Sequence, residues 1–71
     1  MTAAQWLVLD NLKHGWSYRA NVRPSEANQA YQWASDNGYI ADGKLTSAGE
    51  MVLMLDRAIE AAEERIRRAG R

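Results

Sequence analysis

Residues 37–49 read NGYIADGKLTSAG, and their chemistry decides the fold. Asn37-Gly38 is a helix stop, because glycine takes the left-handed conformation that ends a helix. Asp42-Gly43 is a favoured hairpin turn, because glycine tolerates positive φ. Ser47-x-x-Glu50 has the form of a capping box, with Thr46 as the alternative N-cap. One helix therefore ends, a hairpin crosses residues 38–46, and another helix starts, all within a few residues. A hairpin this short is not stable alone. Tyr39, Ile40 and Leu45 must pack on the helices around it.

Upstream, SEANQAYQWASDNG reads as a helix over 25–37 with Ser25 as its N-cap. Ala27, Ala30, Tyr31 and Ala34 make its inner stripe, with Trp33 beside it. Ser25, Asn28, Gln29, Gln32, Ser35 and Asp36 make a polar outer stripe. Pro24 biases Arg23 away from helix, and the alternation of WSYRANVRP predicts a short extended segment. Before that, TAAQWLVLDNLKHG predicts a helix over 2–14, with Thr2 as N-cap and Gly15 as stop. Gln5, Val8, Leu9, Leu12 and Trp16 recur at helical spacing.

Downstream, Ala48, Val52, Leu55, Ile59, Ala62, Ile66 and Ala69 alternate at spacings of 4 and 3, a heptad seam that predicts one long helix over 47–69. Met51, Leu53 and Met54 add apolar surface to its first turns, which are expected to be buried within the domain. Beyond Arg57 only the seam is apolar, so Val52, Leu55, Ile59, Ala62 and Ile66 are expected to form a homodimer interface. Glu63/Arg67 and Glu64/Arg68 are favourable i,i+4 pairs.

With 71 residues the chain predicts one domain, near the size at which a core alone sustains a fold. Lacking cysteine and holding one histidine, His14, it offers neither disulfides nor a metal site, and no cofactor is expected. No nucleophile accompanies His14, no glycine-rich phosphate loop is present, and EAAEER reads as helix-surface pairing. The chain is therefore expected not to be an enzyme, and no small-molecule substrate is evident. MVLML is too short an apolar run to cross a membrane. Nothing at the start reads as a signal peptide, so a cytoplasmic protein is expected.

Nine basic residues balance nine acidic ones, so no strong field marks a nucleic-acid binder. The charge is unevenly spread. Residues 1–24 set Lys13, Arg19 and Arg23 against Asp10, whereas 25–44 set Lys44 against Glu26, Asp36 and Asp42.

Helix, polar-faced helix, short hairpin and capped long helix, in that order, resemble the winged-helix group, specifically MarR-type and PadR-type repressors and the small phage proteins related to them. TAAQWLVLDNL resembles the first helix of the DNA-binding part of MarR-type proteins. DNGYIADGKLTSAGEMVL resembles the passage in which a recognition helix ends at glycine, a wing follows, and LT-x-x-G starts a C-terminal helix. The resemblance covers about residues 2–55. It implies a mainly α, minimal winged-helix-like domain: recognition helix at 25–37, wing tip at 41–44, dimerisation helix at 47–69. Only residues 15–24 separate the first helix from the recognition helix, so the family's usual second helix is missing or reduced to a turn.

On that reading Asn28, Gln29 and Gln32 face adenine edges in the major groove, since amides pair bidentately with adenine. Ser25 lies at the helix start, and Arg19, Arg23 and Lys44 hold phosphates of double-stranded DNA. The function implied is a small dimeric transcription regulator. The other reading is a protein-binding inhibitor, phage- or mobile-element-encoded, that reuses the fold against a host protein such as a defence or transcription complex. Its contact residues would be Trp6, Trp16 and Tyr18, a tryptophan/tyrosine cluster of the kind that anchors interfaces.

Overall fold

The computed structural model describes residues 1–56. The protein is mainly helical, with one small antiparallel hairpin. Helix α1 spans Ala3–Lys13 and α2 spans Pro24–Asp36. Strands β1 (Ile40–Ala41) and β2 (Lys44–Leu45) follow. A third helix, α3, begins at residue 47 and is helical through the last described residue, 56. The expected extension to 69 lies outside the described residues.

Both α1 and α2 stop by the same device. Gly15 and Gly38 each take φ near +75°. In α1, Trp16 N–H donates to Asn11 O (2.9 Å) and Gly15 N–H to Leu12 O (3.2 Å). In α2, Tyr39 N–H donates to Ala34 O (2.8 Å) and Gly38 N–H to Ser35 O (3.1 Å). These are the paired bonds of a Schellman motif, which satisfy carbonyls left over at a helix end. At the other end of α1, Thr2 Oγ1 accepts from Gln5 N–H while Gln5 Oε1 accepts from Thr2 N–H, closing a capping box.

Two local expectations are corrected. Helix α2 is capped by Arg23, with Pro24 at the first helical position, so Ser25 falls inside the first turn. Proline suits that position because its missing N–H would be unpaired there in any case. The segment after Trp16 is also not extended. It folds into turns closed by Ala20 N–H to Ser17 O (3.0 Å) and Val22 N–H to Arg19 O (3.1 Å), with Asn21 at φ +61°.

The hairpin pairs Ile40 with Leu45 and Ala41 with Lys44. Its two turn residues, Asp42 and Gly43, have φ of 53° and 74°, the positive pair that a type I′ turn requires. β1 packs on α2 and β2 on α1. Thr46 then joins hairpin to helix. Its N–H donates to Tyr39 O (2.9 Å), its Oγ1–H donates to Gly38 O (2.7 Å), and Oγ1 accepts from Gly49 N–H (3.1 Å). Thr46, not Ser47, is therefore the cap of α3. Gly49 is buried where α3 crosses the hairpin. A Cβ there would strike Tyr39 O and stand 2.7 Å from Leu45 Cδ1. The words LT-x-x-G thus describe one joint: a packed leucine, a capping threonine, and a glycine that lets the elements touch.

The core is Val8, Leu9, Ala30, Ala34, Ile40 and Leu53, with Ala27 also buried. Alanines on α2 let α1 approach closely. Half-buried Trp6, Tyr18, Tyr31, Trp33 and Tyr39 close round this narrow centre, doing the work of the absent phenylalanines. Each fully buried leucine stabilises by about 2–3 kcal/mol. The first turns of α3 are not wholly buried, contrary to expectation. Gly49 and Leu53 take the inner face with Val52 at its edge, whereas Met51, Met54 and Leu55 are 63%, 63% and 61% exposed. A helix lying on one side of so small a core has only one face to bury.

Gly49→Ala should destabilise the protein by about 1–3 kcal/mol, because overpacking outweighs the better helix propensity of alanine. Urea unfolding checks this. A more stable variant would refute the close contact.

Candidate nucleic-acid interface

Asn11 is a polar residue inside the core, 2% exposed. Its Nδ2 donates to Tyr18 O (3.2 Å) and Ala20 O (2.9 Å), which uses both amide hydrogens. A buried amide is costly unless so satisfied. These bonds, with the Trp16 N–H bond to Asn11 O, draw the residues after α1 into turns. That is the physical reason the segment is not extended.

The loop in turn positions Tyr18. Its ring packs against Tyr31 with centroids 4.6 Å apart. Its hydroxyl donates to Asn28 Oδ1 (3.0 Å) and accepts from Arg19 Nε–H (3.1 Å). The Arg19 guanidinium carbon lies 5.4 Å from the Tyr18 ring centroid, within cation–π range. Arg19, Tyr18 and Asn28 therefore form one linked group beside the N-terminal half of α2.

Ser25, Asn28, Gln29 and Gln32 are all exposed, as expected of the outer stripe, but they are not equivalent. Asn28 is tied to Tyr18. Gln32 Nε2 donates to Asp36 Oδ1 (2.8 Å), an i,i+4 pair that occupies the amide and puts a carboxylate beside it. Gln29 lines an open groove of about 390 Å³ with Glu26, Ala30 and residues 2–5 at the start of α1. The exposed Arg23 makes no side-chain cap bond. Pro24 has no N–H, so the N–H groups of Ser25 and Glu26 point out of an N-terminus that no side chain caps. With the helix dipole, this end of α2 favours negative charge, and Glu26 in its first turn supplies one carboxylate there.

Lys44 is exposed but lies elsewhere. It lines a groove with Lys13, Trp16 and Glu50 on the α1 side of the hairpin. Trp6, Trp16 and Tyr18 also have separate settings. Trp6 and Tyr18 are half-buried against the core, and Trp6 Nε1 is buried with no hydrogen-bond partner among the described residues. Trp16 is 56% exposed and stacks on His14. Of the expected dimer residues, Val52 packs against the protein's own core and Leu55 faces out. Ile59, Ala62 and Ile66 lie outside the described residues. Among the described residues no histidine–carboxylate group has the arrangement of a metal site, and no helix is long and apolar enough to cross a membrane.

Sequence reasoning missed Asn11 and the Tyr18–Asn28 bond. The signal for Asn11 was an amide between Val8 and Leu12 on an apolar face. No local pattern signals the bond, which spans a loop. Comparison with protein-family models, with curated proteins and with solved structures finds no match.

Asn11→Asp should lower stability by about 1–3 kcal/mol, since two donors become a lone-pair surface facing two carbonyls. Chemical unfolding measures it. An unchanged midpoint would show that the loop holds its shape without Asn11.

Proposed function

We propose that this protein is a small, non-enzymatic DNA-binding regulator of the MarR/PadR-like winged-helix type, acting in the cytoplasm as a homodimer. The N-terminal half of α2 enters the major groove. The observation that carries the reading is the outward face there, where Asn28 and Arg19 are held by Tyr18, Arg23 flanks them, and backbone N–H groups stand uncapped. Helix N-termini that enter the groove read bases with their first turns. Asn28 and Gln29 are then the base-reading residues, and Arg19 and Arg23 the phosphate contacts. Gln32, engaged by Asp36, has a lesser part.

The dimer rests on α3. Met51, Met54 and Leu55 present three large apolar side chains on a face that this chain's own core leaves uncovered. Residues 51–55 of α3 are apolar both toward the core and away from it, so their outer face is suited to being covered by a second surface. Leu55→Asp should convert a dimer to a monomer in sedimentation, with the fold kept. Wild-type protein that stays monomeric at high micromolar concentration would end this part of the proposal.

Four arginines per dimer give a log–log salt slope of roughly −3.5 for duplex DNA. Arg23→Ala should flatten it by nearly two units, one from each subunit. Gln29→Ala should relax sequence preference at one position of each half-site, at about 1–3 kcal/mol per bidentate pair. Absence of duplex binding at low salt would overturn the reading. A protein-binding module is the second reading, favoured by zero net charge and by the exposure of Trp16. It predicts no salt-dependent DNA affinity.

A further inference from the structure

Among the described residues, the side chain least explained by the fold is Trp16. Its backbone is fixed by the end of α1, and its ring is stacked on His14 at 4.6 Å and 19°. His14 is itself held, with Nδ1 2.9 Å from Asp10 O and 3.6 Å from Asp10 Oδ1. Yet Trp16 is 56% exposed, so its ordering contributes little burial. A large amphipathic side chain ordered in advance at a surface is the form that interface anchors take.

Trp16 borders a groove of about 360 Å³ between the end of α1 and the hairpin. Half-buried Leu12 and Leu45 contribute its apolar lining, and the exposed Lys13 and Lys44 join it from α1 and β2. Glu50 of α3 is the remaining charge. Gly15 and Gly43 also line it, and a Cβ at either would meet nothing within 4 Å. These lips are open to a main chain.

We propose that this groove binds a segment of another protein, with one apolar or aromatic side chain against Trp16, Leu12 and Leu45 and acidic residues beside Lys13 and Lys44. Charge complementarity selects the acidic neighbours. The aliphatic lining and the presence of Glu50 favour a peptide over nucleic acid, whose phosphates call for a longer run of cations. None of Ser25, Asn28, Gln29 and Gln32 lines this groove, so the inference stands independently of the DNA reading. It supplies that reading, where it holds, with a place for a protein partner.

The test uses the full chain and a fluorescently labelled synthetic peptide with a central leucine-tryptophan pair flanked by aspartates. Its counterpart carries asparagine at each aspartate. Polarisation titrations should show the acidic peptide binding wild type more tightly than its counterpart. Trp16→Ala and the double change Lys13→Glu, Lys44→Glu should each weaken binding about tenfold or more, while Gln29→Ala leaves it unchanged. Circular dichroism and thermal unfolding establish that each variant is folded, and the double charge reversal keeps the test open should Trp16→Ala unfold. No binding of the acidic peptide at millimolar protein overturns the proposal. So does equal binding by the folded variants. A loss of duplex DNA affinity in the double variant matching that of Arg23→Ala would assign the groove to nucleic acid instead.

Discussion

One buried amide governs how this small domain is put together. Asn11 sits in the last turn of α1, near Val8, Leu9 and Leu12, where a buried polar group is tolerated only if its hydrogen bonds are made. Its backbone carbonyl ends the helix, and its side chain holds the carbonyls of Tyr18 and Ala20. Three bonds from one residue thus fold the loop back against the core. A clamped loop spans the gap between α1 and α2.

The consequence runs outward from the core. Because the loop is fixed, the Tyr18 ring meets Tyr31 and its hydroxyl reaches Asn28, and Arg19 is held against the same hydroxyl. A polar group on α2 is therefore ordered by a residue on α1 that is itself buried. Along α2, Arg23, Glu26 and uncapped N–H groups stand at the start, and Asp36 stands at the end beside Gln32.

The elements were legible because their boundaries are written in local chemistry. Gly15, Gly38 and the Asp42-Gly43 pair require positive φ, and Thr2 and Thr46 are caps that act within three residues. Alanines at 27, 30 and 34 mark an inner face by spacing alone. What escaped the sequence depends on tertiary packing. The turns of residues 17–22 follow from a side chain several residues upstream, so alternation within WSYRANVRP misled. The α3 face was misjudged because spacing shows that Met51, Leu53 and Met54 are apolar, but not how many faces a core of alanines can cover. The candidate site was legible as a polar stripe. Its division into Asn28 bound to Tyr18, Gln32 bound to Asp36 and Gln29 facing the groove depends on neighbours that only the fold supplies. Lys44, placed with the stripe by motif order, lines the other groove because β2 packs on α1.

The Asn11 amide is a structural clamp, and its two side-chain protons report on it directly. Hydrogen exchange of side-chain amides, followed by nuclear magnetic resonance in the intact protein, separates a clamped amide from a solvated one. Both Asn11 Nδ2 protons should exchange far more slowly than those of the exposed Gln29. Exchange of the Asn11 protons as fast as those of Gln29, in protein whose α1 backbone amides remain protected, would contradict it.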